Sequence, residues 1–290
     1  MTVTVVVASF REMDLLTACL ASVVPQARRL GGSVVVARPQ FDPAVAAVQA
    51  RFPDVRFVAA AGDDIPRLRG AGLAAASSEV VAVTEDHCIA DDGWLAALVN
   101  VQAETGADVV GGGMGNARRE RAVDWAAYFA EYGFFSWARR EGAGVPLLTG
   151  ANVAYRGAVH ADVTAWMLAG TWENVCHERL HAAGRRLVFT SEARILQNHT
   201  YQFRAFCRDR YEHGRDYART RLTAAHPSAR WRFLAATPLL TPLLTARVAR
   251  AAGRIAPAAF ARALPVTMAF LGAWAVGEAV GYVMGEPRRG

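Results

Sequence analysis

The sequence of 290 residues contains no lysine, so all 32 of its basic residues are arginines. It is also poor in cysteine: Cys19, Cys88, Cys176 and Cys207 are scattered without the close pairs of a zinc knuckle or a disulfide framework. This spacing predicts reduced thiols and a reducing compartment. No charged leader with a signal-type apolar stretch precedes the first predicted strand, which begins at Thr2, so we expect the catalytic part to stay in the cytoplasm.

Acidic residues are fewer than basic ones, 26 against 32, and the formal net charge is +6 at pH 7. The planar guanidinium of arginine binds phosphate groups in a bidentate way. No helix-turn-helix, zinc finger or RNA-binding signature accompanies this charge, and we expect no nucleic-acid partner. A phosphorylated substrate or an anionic membrane surface is the partner that the charge favours.

Apolar runs alternate with helical patterns over the first hundred residues. Strands are predicted at residues 2–8, 33–37, 55–59 and from residue 80, and helices at 14–30 (interrupted near Pro25), 43–50 and 66–76. Strands and helices that alternate at this spacing form βαβ units with right-handed crossovers. The sequence therefore predicts an α/β fold with a mostly parallel sheet and flanking helices.

A cluster of polar side chains follows the most apolar of these strands. The run of small β-branched residues from Val80 ends in Glu85, Asp86 and His87, and Trp94 follows shortly after. Open α/β sheets bind their ligands beyond the carboxyl ends of the strands. Oxygen and imidazole ligands at that place suit a divalent cation that carries a phosphate.

The order of strand, acidic cluster and a tryptophan that opens a helix resembles the family-2 glycosyltransferases of the GT-A fold. Their Asp-x-Asp motif holds the metal that binds the diphosphate of a nucleotide-sugar. By this resemblance Glu85 and His87 stand where the two aspartates usually stand, with Asp86 between them. The resemblance implies a divalent cation, Mg²⁺ or Mn²⁺, at Glu85 and His87, and an ion-binding or ribose-binding role for Asp86.

Four further residues match donor-site positions of the same family. Arg69 precedes Gly70 in a stretch that resembles the segment beside the nucleotide. Asn152 lies in a stretch similar to the strand that lines the donor-sugar pocket, and His199 matches a histidine that ligates the metal or touches the diphosphate. Arg210 resembles part of a motif of processive synthases and is assigned to the donor site. Each also has a plain structural interpretation, as a solvated helix arginine, a strand-entry turn residue or a hydrogen-bonded surface histidine.

One family feature is missing. The second predicted strand ends in Ala37, Arg38 and Pro39, without the acids that contact base and ribose in the family. The resemblance therefore leaves the nucleotide base open.

The segment 172–181 supports two different interpretations. In the family, the second acid of a pair at a helix start is the catalytic base; here that position is Asn174, which leaves Glu173 as the carboxylate for the role. The same segment contains His177, Glu178 and His181 in His-Glu-x-x-His spacing, typical of zinc metalloproteases, with His199 or Glu192 as a possible third ligand.

Three local expectations concern the chain between these motifs. Asp91 and Asp92 are predicted to cap a helix that runs to about residue 106. A strand at 108–110 is closed by Gly111–Gly113, which either turn the chain or let backbone approach a ligand. The aromatic-rich segment 123–140 is predicted to be a helix and loop that cover the sheet, with most rings packed in the core.

The composition shifts after Pro227. Residues 263–285 contain no basic residue. A helix of this length is long enough to span a bilayer, despite Glu278. Small residues recur every fourth position at Ala273, Gly277, Gly281 and Gly285, as on membrane helices that pack closely. The alternative is a buried helical pair that caps the soluble domain.

Together the residues and the resemblance predict a GT-A-like catalytic domain at 1–226 and a C-terminal membrane-associated helical segment at 227–290. The expected activity is sugar transfer, with inversion, from a nucleotide-sugar donor to a hydroxyl acceptor that is lipid-linked or otherwise membrane-associated. The expected location is the cell membrane, with the catalytic domain on the cytoplasmic side. The alternatives are the zinc metalloprotease and a catalytically inactive nucleotide-sugar-binding protein.

Overall fold

The computed structural model describes residues 2–39, 43–139, 142–143, 145, 147–224 and 229–285. Its helices and strands are, in chain order, β1 Val3–Ala8, α1 Met13–Arg29, β2 Ser33–Arg38, α2 Pro43–Arg51, β3 Val55–Ala59, α3 Ile65–Ala74, β4 Val80–Glu85, β5 Cys88–Ala90, α4 Trp94–Thr105, β6 Val109–Asn116, α5 Ala122–Glu131, β7 Gly142–Ala143, β8 Val153–Arg156, α6 Ala158–Leu168, α7 Glu173–Ala182, β9 Leu187–Gln197, α8 Phe203–Ala224, α9 Ala229–Ala236, α10 Leu240–Ile255 and α11 Pro257–Met284. The chain divides into two compact units. The first contains Met1–Ala117 and Phe135–His199, and the second Arg118–Phe134 and Thr200–Gly290. The predicted domain boundary at 226/227 lies outside the described residues.

The first unit is built on one sheet. In the described part of the chain its order is β3-β2-β1-β4-β8-β6-β9-β5, with β7 also paired to β9. The strands β1 to β4 pair in parallel, whereas β8 runs antiparallel between β4 and β6. The predicted α/β fold class is confirmed. Parallel pairing holds for the first half of the sheet, and the second half is mixed.

The central strands explain where the polar cluster lies. Every residue of β1 and β4 is buried, as expected for parallel strands covered on both faces. The two strands run in register, so that Ala8 at the end of β1 pairs with Glu85 at the end of β4. The acids that follow β4 therefore lie beside the loop that leaves β1.

Two local predictions about helices are wrong. Helix α1 continues through Pro25 because buried residues on both sides of it, among them Leu20, Val23 and Ala27, pack against the sheet and outweigh the missing backbone hydrogen bond. Helix α4 is capped by neither Asp91 nor Asp92. Its N-cap is Gly93, in the left-handed conformation at φ 81° and without a side-chain cap bond.

The glycines of β6 do not turn the chain. The strand continues through Gly111, Gly112 and Gly113 to residue 116. A Cβ on Gly112 would clash with the carbonyl oxygen of Ala193 and the amide of Asn152. These glycines therefore let neighbouring backbone and side chains approach the strand closely.

The second unit is helical. Helix α11 packs against α5 and α8. Trp125, Tyr128 and Phe129 of α5 are buried as predicted, whereas the four later rings of that segment are partly or largely exposed. Among the described residues, α11 is the one helix long and apolar enough to span a membrane by length and composition alone. Its small residues are used inside the unit: Gly277 and Gly281 pack against the backbone of α8.

Candidate active site

Arg69 joins two carboxylates that are far apart in the sequence. It lies on α3, and one guanidinium nitrogen donates to Glu85 Oε1 at the end of β4. The other terminal nitrogen donates to Glu173 Oε2 at the start of α7, 2.7 Å away. The side chains of Arg69 and Glu85 are only 3% and 4% exposed, whereas that of Glu173 is 20% exposed. The structure therefore places one buried cation between a buried acid and a more accessible one.

Glycines make room for this arrangement. A Cβ on Gly150 would clash with the guanidinium of Arg69, and a Cβ on Gly70 would meet the backbone of α6 at Leu168. Glycine at both positions lets α3 and the loop before β8 close around the ion pairs.

The electrostatics of Glu173 follow from its contacts. Burial raises the pKa of its carboxyl, but the charge of Arg69 and a backbone N–H outweigh that effect, so the pKa lies below its usual value. Glu173 is therefore ionised at neutral pH and able to accept a proton.

Asp86 holds the loop after β1. Its Oδ2 accepts hydrogen bonds from the backbone amides of Phe10 and Arg11, both 2.6 Å long. Its Oδ1 makes no hydrogen bond with the described residues and lies 3.7 Å from His87 Nδ1. One oxygen thus fixes the loop, and the other is buried and able to accept from a ligand.

His87 and His199 lie side by side in the same cluster. The Nε2 atom of His87 is 3.5 Å from Glu85 Oε2, and the ring centroids of the two histidines are 6.3 Å apart. Burial lowers the pKa of His199 to about 4, and the nearby charges of Arg11 and His87 act in the same direction. His199 is therefore neutral at physiological pH, the form in which imidazole binds metal ions.

The predicted cation ligands fit an ion in part. Two ligand atoms of a Mg²⁺ ion, each about 2.1 Å from it, lie about 3 Å apart, and the Oε2 of Glu85 and Nε2 of His87 are close to that spacing at 3.5 Å. Among the described residues, no group of three or more His, Cys, Asp or Glu side chains is positioned to hold a metal ion. The pair fits as two ligands, and the remaining ligands would come from a diphosphate and water.

The side-chain amide of Asn152 is hydrogen-bonded to other protein groups through both its nitrogen and its oxygen. Its amide nitrogen donates to the carbonyl oxygens of Gly113 and Ala193, at 3.1 and 2.9 Å, and its oxygen accepts from the indole of Trp94 at 2.8 Å. The side chain is buried completely. Its position favours the role of holding backbone in place over a direct bond to a sugar hydroxyl.

Arg210 belongs to the second unit. Its guanidinium lies 3.5 Å from the carboxylate of Glu131 and 4.5 Å from the centroid of the Trp274 ring. These contacts within the unit account for its burial, and its donor-binding role stays a prediction.

The His-Glu-x-x-His spacing does not make a zinc site. His177 is completely buried; its Nε2 is 3.0 Å from the hydroxyl of Tyr155, and its Nδ1 is 3.1 Å from the carbonyl oxygen of Leu148. His181 is exposed at the protein surface. Because both ring nitrogens of His177 face protein groups, the two histidines share no ligand position, and the protease interpretation is wrong.

Sequence reasoning missed Arg38 at the end of β2. Its guanidinium donates to the hydroxyl of Ser9 at 2.7 Å and to the carbonyl oxygen of Arg11 at 3.1 Å. β2 pairs in parallel with β1, so the rule that pointed to the end of β4 would also have pointed to Arg38.

Comparisons with known proteins show the family and the fold. The family model described as "Glycosyltransferase like family 2" matches residues 1–216. No curated protein matches the chain. The fold is similar to that of the mannosyltransferase PcManGT from Pyrobaculum calidifontis in complex with GDP-Man and Mn²⁺, with TM-score 0.59, 18% identity, and coverage of 95% of this chain and 86% of that one.

Two structures of TarS 1-349 from S. aureus are also similar. The TM-score is 0.53 at 15% identity for one structure, with coverage of 75% of this chain and 64% of that one. For the structure in complex with UDP-GlcNAc the TM-score is 0.52 at 14% identity, with coverage of 75% and 66%. At these identities the likeness concerns the fold.

We predict that Arg69→Met destabilises the protein by about 3–5 kcal/mol, because it leaves two carboxylates without their buried cation. Urea unfolding measures the loss. Adding Glu85→Gln to this variant should restore part of the stability, since it removes the buried negative charge.

The matched control is Arg67→Met on the same helix. Arg67 pairs with Asp64, but the two side chains are 45% and 35% exposed, so the loss should stay below about 1 kcal/mol. Equal stability of the Arg67 and Arg69 variants would show that the buried ion pairs do not hold this site together.

We also predict that stability falls between pH 7 and pH 5, in part through His177. Burial lowers its pKa from 6.5 to about 4, although Glu173 opposes the shift. In that pH range the unfolded chain binds a proton that the folded protein excludes. The contribution of His177 to stability is therefore present above pH 6.5 and is lost as the pH falls, by up to about 2 kcal/mol.

Urea unfolding at both pH values should show a smaller loss of stability for His177→Gln than for the unaltered protein. His181→Gln, on the exposed face of the same helix, should keep the full loss; a parallel change in both variants contradicts the assignment.

Proposed function

Because the chain belongs to the glycosyltransferase family 2-like proteins, we propose that it moves a sugar from a nucleotide-sugar donor to a hydroxyl acceptor with inversion. The observation that carries the proposal is the bridge of Arg69 between Glu85 and Glu173. It ties the acid at the end of β4, where the family binds the diphosphate, to the carboxylate at the start of α7. One guanidinium thereby holds both the acid beside the proposed diphosphate site and the carboxylate proposed as the base.

We assign the catalytic base to Glu173. Of the two acids bonded to Arg69 it is the more exposed, at 20% against 4% for Glu85, so it is the one that an acceptor can reach. Its neighbour Asn174 has no proton-accepting carboxylate. In the reaction, a Glu173 oxygen takes the proton of the acceptor hydroxyl, the acceptor oxygen attacks the anomeric carbon, and the bond from that carbon to the diphosphate oxygen breaks. A single displacement of this kind inverts the anomeric centre.

The donor site is proposed around the other members of the cluster. Arg69 and the free oxygen of Asp86 would bind the nucleotide portion, and Asn152 would hold the adjacent backbone in place. Glu85 and His87 would hold a divalent cation, Mn²⁺ or Mg²⁺, which would neutralise negative charge on the leaving diphosphate, and the neighbouring His199 would touch the cation or the diphosphate. The structural relatives were solved with GDP-Man and Mn²⁺ and with UDP-GlcNAc, which supports a nucleotide-sugar as the donor class.

The acceptor is proposed to be lipid-linked or otherwise held at a membrane. The support is the apolar helix α11 in the second unit and the excess of arginine in the sequence. In this proposal the catalytic unit faces the cytoplasm, where nucleotide-sugars are available.

We predict that Glu173→Gln abolishes sugar transfer, at least a hundredfold, because the amide cannot take the acceptor proton. Binding of the nucleoside diphosphate should persist, since Arg69 keeps its bond to Glu85. Transfer is measured in membrane extracts with radiolabelled nucleotide-sugars, and binding by thermal shift. Glu178→Gln, exposed on the same helix, should keep full activity.

Two outcomes oppose this assignment. An active Glu173→Gln variant would remove the base role. Nucleotide-sugar binding by the unaltered protein without any transfer or donor hydrolysis would instead support the inactive binding protein.

We further predict that GDP or UDP raises the melting temperature only when Mn²⁺ or Mg²⁺ is present. A ligand at a hundred times its Kd stabilises by about 2.7 kcal/mol. His87→Ala should lose most of the part that depends on the cation, whereas His181→Ala should keep it. An equal shift with a chelator present would contradict a cation in the donor site.

A further inference from the structure

Helix α8 of the second unit lies beside the second half of α11. Phe206, near the beginning of α8, is in ring contact at 4.5 Å with Phe270, at the middle of α11. Further along, Gly277 packs on the backbone of Tyr211, and Gly281 packs on Ala218. Because the residue numbers rise together on both helices, α8 runs parallel to the second half of α11.

This pairing bears on whether α11 can span a bilayer. Nine charged residues lie on α8, and several of them are exposed. They are Arg204, Arg208, Asp209, Arg210, Glu212, Arg215, Asp216, Arg219 and Arg221. Each charged side chain at the centre of a bilayer lowers insertion roughly a hundredfold. If α11 crossed the bilayer, its second half would bring α8 and these charges into the membrane with it.

The outer face of α11 is nevertheless apolar. Exposed residues recur along it at spacings of three, seven or eight residues, which keep them on one side of the helix, and they include Pro265, Met268, Val276 and Val283. Together with Ala261 these residues form the α11 stripe, about 33 Å long at 1.5 Å per residue. The opposite face is the one that packs on α5 and α8. A helix with one face on its own protein and an apolar stripe outside fits the interface of a membrane.

The surrounding sequence supplies charge of one sign. No acidic residue lies between Asp216 and Glu278, whereas arginines occur at positions 219, 221, 230, 232, 247, 250, 254 and 262. In α9, α10 and the turn between them, Trp231, Leu239 and Leu243 are exposed, as are Arg247 and Arg250. Exposed apolar side chains among arginines complement a surface of anionic lipids.

We propose that the α11 stripe and the exposed residues of α9 and α10 dock in the plane of an anionic bilayer surface, without crossing it. This proposal deepens, and rests on, the membrane association included in the proposed function. It replaces a spanning helix by an interfacial one. The transferase would then reach a membrane-held acceptor from the bilayer surface on which it docks.

The first experiment is flotation of the full chain with vesicles of phosphatidylcholine, alone or with about one third phosphatidylglycerol. The protein should float with the anionic vesicles. Replacing Arg247, Arg250 and Arg254 by Gln should weaken binding about fivefold for each arginine. The triple variant Met268→Gln, Val276→Gln, Val283→Gln should weaken it by at least about tenfold.

The matched control replaces two exposed apolar residues of the first unit, Leu30→Gln and Leu168→Gln. It should float like the unaltered protein. Equal losses in control and stripe variants, or a stable dimer of the free protein that the stripe variant abolishes, would overturn the lipid surface as the occupant. The nucleotide thermal shift is measured on the same samples, so that a failure of docking is distinguished from a failure of the donor site.

The second experiment separates in-plane docking from spanning. Ala258→Cys and Met284→Cys mark the two ends of α11, each in a Cys207→Ser background because Cys207 is partly accessible. Sealed vesicles from cells that express the full chain are treated with an impermeant maleimide from the cytoplasmic side. Both positions should react before detergent is added. A position that reacts only after detergent would show that α11 crosses the bilayer.

Discussion

The structure of the catalytic unit depends on one buried guanidinium. Arg69 neutralises Glu85, which is covered on all sides at the end of β4, and also bonds Glu173 at the start of α7. A buried charge without a partner is costly, so the buried Glu85 depends on Arg69 for its position, and the partly exposed Glu173 is also stabilised by it. The ion pairs therefore position α3, β4 and α7 relative to one another. They also fix the position of the proposed base, Glu173.

A buried histidine lies close to the proposed base. His177 lies one helical turn after Glu173 and bonds to Tyr155 on β8. A neutral imidazole in that position satisfies polar groups without adding a charge near Arg69. The His-Glu-x-x-His spacing in the sequence thus reflects a buried structural histidine followed by an exposed one, and the two serve no common ligand.

Much of the fold could be predicted from periodicity, because β1 to β4 alternate with helices and carry long apolar runs. The convergence of residues 69, 85–87, 173 and 199 was anticipated through the family resemblance, and the structure brings them together. Other features depend on contacts far apart in the chain. The sequence left open whether Gly111–Gly113 turn the chain or allow a close approach, because the groups that approach Gly112, Ala193 on β9 and Asn152, are distant in the chain. The cap of α4 lies at Gly93, directly after the two acids that were predicted to cap the helix. The small residues of α11 resembled a membrane-helix face, although their neighbours are the backbone atoms of a charged helix.

The bonds that Asp86 accepts come from main-chain amides, which every residue except proline possesses. These two bonds therefore do not depend on which side chains stand at positions 10 and 11. Any substitution there other than proline keeps both amides available to Asp86, so that the chemistry of this rim of the proposed donor site can vary while the loop keeps its two bonds.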